Sequence, residues 1–293
     1  MKNSLKADIG LLIVTLCWGV SYILIDVCLS EMTNMGLNAL RFLVAFGVAY
    51  IAAFKKMQHP SRETLRYAFF VSIALTIVYI TATYGVMYTS LSNCGFLNAL
   101  STVFTPILGF LVFKKRPEKK IIPVVIICMV GIGLISLDSS FKPALGDIFC
   151  LGCAVSYAFH LQITDNAVKN ENVNAFQLGV FQLGLVGVYM LILDLALHKT
   201  PSIPQSGKVW AAAFFLAIFC TGLSFIVQAV AQQYTSPNHV GVIFALEPVF
   251  SGIAAYFIAG EVLLPRAYVG AVLMIGSLFV MEIDFGKKKG KEG

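Results

Sequence analysis

Charge is what this 293-residue chain has least of: Asp, Glu, Lys and Arg make up only 12% of it. A soluble domain carries roughly twice that share. The phosphate-cradling pattern G-x-x-x-x-G-K-[ST] is also missing, and no polar stretch is long enough for a nucleotide domain, which excludes an ATP-driven pump. Histidine occurs four times, and the acids inside apolar runs are dispersed, so the acid pairs or His/Asp/Glu clusters of an intramembrane enzyme are lacking. No ring of charges or filter-like segment argues for a pore. Cysteine is scattered through apolar segments. The one redox-like spacing, Cys150 and Cys153 in "CLGC", falls in an expected membrane helix and reads as packing.

What the chain has in abundance is apolar length. It is 58% hydrophobic, with a mean hydropathy of +0.83. Runs of about 20 apolar residues suffice to cross a bilayer as helix. Ten such spans are expected, near 7–28, 35–54, 66–88, 92–113, 120–138, 144–166, 174–197, 208–234, 237–259 and 264–285. The first imitates a signal peptide but is too long and lacks a cleavage site, so it reads as an uncleaved span. The net charge of +6 does not point to nucleic acid, because the basic residues sit in short loops and the tail. Sixteen of them, including Lys55, Lys56, Lys114, Lys115, Arg116 and Lys287–Lys289, fall on one side, against four on the other. That bias predicts both termini in the cytoplasm.

One segment is written twice. "YTSLSNCGFLNALSTVF" (88–104) and "YTSPNHVGVIFALEPVF" (234–250) agree at eight positions, where chance gives roughly one. Weaker echoes link "VSY" at Val20–Tyr22 to Val155–Tyr157, and "NALRF" at Asn38 to "NAFQL" at Asn174. The copies lie five spans apart, so the second crosses in the opposite sense. The expected architecture is an all-α membrane protein of ten transmembrane helices, two inverted five-helix repeats (1–140 and 141–293) around a central cavity. That is the plan of an alternating-access transporter. A duplicated scaffold without transport is the bland reading. The shared Gly95/Gly241 and Ala99/Ala245 suggest places where helices approach closely.

"LCWGVSYILID" in span one, "NALRFLVAF" in span two, "ALEPVFSGIAAYFIAGE" in span nine and "GAVLMIGSLFVM" (Gly270–Met281) together resemble the EamA-type branch of the drug/metabolite transporter superfamily. The similarity spans essentially the whole chain. It implies ten helices with spans one to four and six to nine around a cavity, spans five and ten outside, and export of small metabolites such as amino acids from bacteria. The implied location is the cytoplasmic (inner) membrane. After span four the family commonly has Gly-Glu, whereas this chain has "FKKRPEKK", read here as a cytoplasmic anchor.

Glu247 stands about ten residues into span nine, roughly 15 Å deep at 1.5 Å per residue. An ionisable group at that depth usually faces a cavity or a partner. With Pro248, which frees a carbonyl one turn earlier, it forms a local break. It could bind a substrate ammonium or a coupling proton, or it could pin helix packing. Arg41 in span two could pair with Asp26, or hold a substrate carboxylate by bidentate hydrogen bonds; its repeat counterpart is the neutral Gln177. Span four carries a polar stripe of Asn98, Ser101, Thr102 and Thr105 on one face. Span three offers Thr76, Tyr79 and Thr83, and span eight Gln228 and Gln232. These groups suit a wet cavity or interhelical bonding equally. Trp18, Tyr79, Tyr84, Tyr88 and Phe225 could wall an apolar or cationic group. His160 reads as a packed, hydrogen-bonded residue. The candidate binding set is therefore Glu247, Asn98, Ser101, Thr102, Tyr79, Thr83, Gln228, Trp18, Arg41 and Gln177. No metal, cofactor or enzymatic activity is expected. The partners are a small-molecule substrate, protons as candidate coupling ion, and the bilayer, with a monomer as the default. A lipid-modifying enzyme is the rival reading.

Overall fold

The computed structural model describes residues 2–89, 91–117, 119, 121–136, 144–198, 203–251, 253 and 265–282. Every regular element among them is helical: α1 (Lys2–Leu29), α2 (Asn34–Ala52), α3 (Phe54–Met57), α4 (Arg62–Tyr88), α5 (Leu91–Ala99), α6 (Ser101–Leu111), α7 (Ile121–Ser136), α8 (Leu145–Val168), α9 (Ala175–His198), α10 (Gly207–Ala217), α11 (Ser224–Ala231), α12 (Pro237–Phe244) and α13 (Pro265–Glu282). A short helical stretch covers 247–251, and a six-residue π-helical turn, Ile218–Leu223, joins α10 to α11. Among the described residues six helices are long and apolar enough to cross a membrane: Asn3–Leu29, Asn34–Ala52, Arg62–Tyr88, Leu145–Val168, Ala175–His198 and Gly207–Ala231. Shorter apolar helices run over Leu97–Leu111 and Ile121–Leu134. The end of span nine and the loop before span ten lie outside the described residues.

Polar residues mark the helix starts. Thr33 Oγ1 accepts from the Gly36 amide at 3.0 Å, Ser61 Oγ from Thr64 at 3.0 Å, and Ser206 Oγ from Val209 at 3.3 Å. Each satisfies a donor that the first helical turn leaves unpaired. Between these caps the apolar residues pack α4 against α8 and α9, α2 against α9, α1 against α10 and α11, and α7 against α13. The main core gathers Leu11, Phe42, Leu75, Leu161, Leu183 and Phe225.

The doubled segment breaks in the same place both times. Leu100 N donates to Leu97 O (3.2 Å), and Val103 and Phe104 N donate to Leu100 O (2.9 and 3.1 Å). In the second copy Leu246 N donates to Ile243 O (3.1 Å), and Val249 and Phe250 N donate to Leu246 O (2.9 and 3.2 Å). These are matched positions, with a tightened turn replacing one turn of α-helix. Thr102 stands where the second copy has Pro248, so the break does not require proline. Pro248, which has no N–H to give, consolidates a turn that the shared sequence forms unaided.

Close helix approach occurs elsewhere than the repeat suggested. A Cβ on Gly95 would meet nothing within 4 Å, and one on Gly241 would make only ordinary contact, at 3.6 Å from Thr102 Cα. At Gly19 it would lie 2.7 Å from Phe250 Cβ and 2.8 Å from the Ser251 amide, so α1 seats directly on the helix that follows Glu247.

At the end shared by Leu29 and Gly207, Glu31 ties two connections together. Its carboxylate accepts from the amides of Gln205 (2.7 Å) and Ser206 (3.0 Å), next to the N-terminus of α10. Hydrogen bonds from the Ser206 side chain and from these two amides hold the Glu31 carboxyl below the usual carboxylate range. A depressed folded value means stabilisation that is present above the unfolded value and lost as pH falls through the folded one. The thermal midpoint in detergent should therefore drop between about pH 5 and 3, and Glu31→Gln should flatten that part of the curve. A variant whose curve runs parallel to the wild type over this range would show that the tie contributes nothing.

Candidate functional site

A cavity of about 100 Å³ lies among α1, α2, α4, α8, α11 and the two helix breaks. It is bounded by Trp18, Ser21, Tyr22 and Ile25 of α1, Arg41 of α2, Val78, Tyr79, Ala82, Thr83 and Val86 of α4, and Asn98, Ala99 and Ser101 around the first break. Cys153 and Tyr157 of α8, Phe225 of α11, Phe244 and Glu247 complete it. The volume is several times what a single water needs. No described residue of α7 or α13 lines the cavity. Ile25 and Val86 lie within about one turn of the ends of α1 and α4, so the cavity leans toward the end where those helices stop.

Arg41 is 2% exposed. Its Nε donates to Thr221 Oγ1 at 2.8 Å, and its guanidinium lies 5.0 Å from the centre of the Tyr79 ring. Asp26 is exposed and makes no ion pair with it, so the expected Asp26–Arg41 pair does not form. The two side chains leave neighbouring helices in different directions, one to the surface and one to the cavity. Among the described residues no acid neutralises Arg41, and its other N–H groups have no hydrogen-bond acceptor.

Sequence reading missed the residue that holds Arg41. Thr221 sits in the π-helical turn, where the register slips so that its hydroxyl donates five residues back, to Leu216 O at 2.8 Å. The same turn presents the Cys220 carbonyl to Trp18 Nε1 at 2.9 Å. One local irregularity thus orients two cavity residues, a use to which π-turns are often put. A wide register offset is not legible in a uniformly apolar run. Tyr22 and Tyr157 were also overlooked as lining residues.

Glu247 opens the helix after the second break, beside the Tyr22 hydroxyl. Tyr22 Oη accepts from Asn98 Nδ2 at 3.4 Å, while Asn98 Oδ1 is buried without a partner. Glu247 and Arg41 line the same cavity yet form no ion pair. On the remaining side Trp18 packs within 4.7 Å of the Phe244 ring centre, 5.7 Å of Phe225 and 5.8 Å of Tyr157, and Phe225 meets Tyr79 at 5.8 Å.

Of the ten residues expected to bind substrate, the cavity collects Trp18, Arg41, Tyr79, Thr83, Asn98, Ser101 and Glu247. Three lie elsewhere. Thr102 Oγ1 donates to Gly241 O at 2.9 Å, joining the two broken helices. Gln177 donates to Lys56 O (2.9 Å) and Gln58 O (3.3 Å), and so ties α9 to the turn before α4. Gln228 lies one layer behind, accepting from Tyr157 Oη at 2.9 Å and donating to Gln232 Oε1 at 3.2 Å. Gln232 donates on to Leu161 O at 2.9 Å, and His160 bonds Gln182 at 3.1 Å. This buried network packs behind the cavity residues Tyr157 and Phe225, with His160 5.7 Å and 5.9 Å from their ring centres. Thr105 and Thr76 bond carbonyls of their own helices, Ser101 O and Ser72 O. Tyr84 and Tyr88 stack with Phe149 outside the cavity.

If Thr221 fixes the Arg41 side chain, Thr221→Val should weaken ligand binding by roughly three- to tenfold, the net worth of one ordinary hydrogen bond. Ligand-dependent thermal shift of the purified protein measures this. Unchanged ligand affinity in the folded variant would contradict a positioning role.

The sequence profile of the EamA-like transporter family matches residues 5–137 and again residues 144–283. A transporter of Archaeoglobus fulgidus, described as uncharacterized, is 26% identical over 281 residues, 95% of this chain and 86% of its own. A Salmonella typhimurium protein named "Probable amino-acid metabolite efflux pump" is 24% identical over 285 residues, covering 94% of both. A solved crystal structure of a protein superposes with a TM-score of 0.77 at 15% identity, over 94% of this chain and 96% of that one. The helical fold, the central cavity and both profile matches agree: the chain belongs to the EamA-like transporter family, a multi-pass membrane transporter with a small-molecule substrate.

Proposed function

We propose that the chain is a secondary transporter that exports a zwitterion, an amino acid or closely related amine-bearing metabolite, by alternating access. One observation carries this reading: a buried cation, Arg41, and an acid, Glu247, line one cavity without neutralising each other. A guanidinium removed from water without a counter-charge is costly, and a ligand carboxylate relieves that cost while the ligand's ammonium reaches the Glu247 carboxyl beside Tyr22. The carboxylate of the substrate pairs with the Arg41 guanidinium, whose planar fork suits it. The ammonium goes to Glu247 and to the unpartnered Asn98 Oδ1. The aromatic wall of Trp18, Phe225 and Phe244 receives the side chain. The name of the Salmonella relative supports the same substrate class and an outward direction.

The proposed architecture is ten spans in two inverted halves, 1–140 and 141–293, with both termini cytoplasmic. The two profile matches, the matched breaks at Leu100 and Leu246, and the packing all support it. Exchanging the halves maps the α4–α8 contact onto α1 with α10 and α11, and returns the α2–α9 and α7–α13 contacts to themselves. One chain then holds both halves of the machine and works as a monomer in the bacterial cytoplasmic membrane. Glu247 also serves as the candidate proton site when no substrate ammonium is present.

Counterflow in proteoliposomes, with a panel of radiolabelled amino acids, identifies the substrate. The substrate's methyl ester and its N-acetyl derivative should each compete at least about tenfold more weakly, because each leaves one cavity charge unpaired. Equal competition by either derivative would refute recognition at both ends, and no counterflow by any zwitterion would refute the substrate class.

A further inference from the structure

Where α6 ends, two cavities share a wall. One is polar, about 170 Å³, and is lined by Lys115 and Arg116 after α6, by Gln162, Asp165 and Lys169 of α8, and by Asn238 at the start of α12. The other is an apolar groove of about 480 Å³ between α6 and α7, lined by Ile107, Phe110, Leu111, Ile122, Val125 and Ile126. Pro106, Pro117 and Ile121 belong to both. A molecule with a polar head and an apolar tail can therefore fill the two together.

The polar half is basic after its internal pairs are counted. The Asp165 carboxylate is fully buried and takes Lys115 at 2.7 Å and Lys169 at 2.8 Å. Lys115 also donates to Asn166 Oδ1 at 2.5 Å. Lys114, in the left-handed region at φ 54°, forms part of the turn that carries Lys115 toward α8. Among the described lining residues, one acid against three cations leaves an excess of positive charge, with Arg116 exposed and bonded to no described residue. Two acceptors complete the site. Gln162 spends its amide N–H on Thr105 O at 3.0 Å, leaving Oε1 buried and unpartnered in a residue that is 1% exposed. Asn238 Oδ1 is buried without a partner as well.

An excess of cations asks for an anion, and orphaned carbonyl oxygens ask for hydroxyl or amine donors. The adjoining groove, with Leu111 66% and Ile122 61% exposed, asks for hydrocarbon. The geometry points to a binding site for an anionic phospholipid with a hydroxyl-bearing headgroup, of the phosphatidylglycerol type. The phosphate lies against Arg116 and Lys115, the headgroup hydroxyls donate to Gln162 Oε1 and Asn238 Oδ1, and an acyl chain runs along the α6–α7 groove. A choline lipid has neither net charge nor hydroxyl donors and fits only the groove. This gives "FKKRPEKK" a chemical role beyond anchoring, independent of which substrate the central cavity takes.

Native mass spectrometry of the detergent-purified full chain, titrated with dioleoylphosphatidylglycerol or dioleoylphosphatidylcholine, tests the site. The glycerol lipid should bind at least about tenfold more tightly, since each basic residue near an anionic headgroup is worth about 1 kcal/mol. Arg116→Glu, which reverses an exposed charge, and Ile107→Trp, which obstructs the groove, should each weaken it by about fivefold or more, whereas Lys55→Glu at another basic turn should not. Retained helicity and elution volume confirm folding of each variant. Equal binding of the two lipids would overturn the proposal, as would equal damage from Lys55→Glu. Glycerol 3-phosphate alone binding as well as the whole lipid would overturn it too, by showing a phosphate site and not a lipid site.

Discussion

A guanidinium buried to 2% exposure with one neutral hydrogen bond is an expensive thing for a membrane protein to keep. Much of the central structure is arranged around that cost. Tyr79 turns its ring to the Arg41 charge at 5.0 Å, and the π-turn departs from α-helix to bring Thr221 within 2.8 Å. Neither contact neutralises the charge. The acid that could do so, Glu247, faces the same cavity without closing on it. On the proposed reading, this electrostatic deficit is what a zwitterionic ligand removes. The proposed specificity rests on having Arg41 and Glu247 in one small space.

The broken helices supply the geometry that keeps the two charges apart. At Leu100 and at Leu246 the chain replaces an α-turn with a tighter one, and each time the next helix starts at the level of the cavity. Ser101 comes out of the first break and Glu247 out of the second. Thr102 then ties the first to the second through Gly241 O. Gly19 lets α1 rest on the backbone after Glu247, which fixes the acid relative to Trp18 and Tyr22 on α1. Behind this layer the Tyr157–Gln228–Gln232 chain and His160 fill the interior with satisfied hydrogen bonds, so polar residues serve as packing on one side of the cavity and as lining on the other.

Much of this was legible in the sequence, for identifiable reasons. Apolar runs give the helices because a bilayer leaves the backbone few other options. The repeat showed which residues share a place in the fold, and the unshared letters Asn98, Ser101 and Glu247 are among those that line the cavity. The reading failed where function depends on direction and not on position along a helix. Thr102 and Thr105 share a face with Ser101 yet turn to backbone carbonyls, and Gln177 occupies the place of Arg41 in the repeat but serves a turn. Asp26, close to Arg41 in a hairpin, points away. Thr221 could not be found at all, because a π-turn changes the angular register without changing composition. Proline misled in the opposite way: Pro248 looked like the cause of a break that Thr102 accompanies just as well.

Arg41 and Glu247 line one cavity and are proposed to meet the two ends of one ligand. An experimental structure of the protein with its transported amino acid bound tests that most directly. The ligand's carboxylate should lie within hydrogen-bonding distance of the Arg41 guanidinium and its ammonium within reach of Glu247 and Asn98 Oδ1. A ligand seated away from both, or a substrate-loaded cavity in which Arg41 and Glu247 pair with each other, would contradict the account.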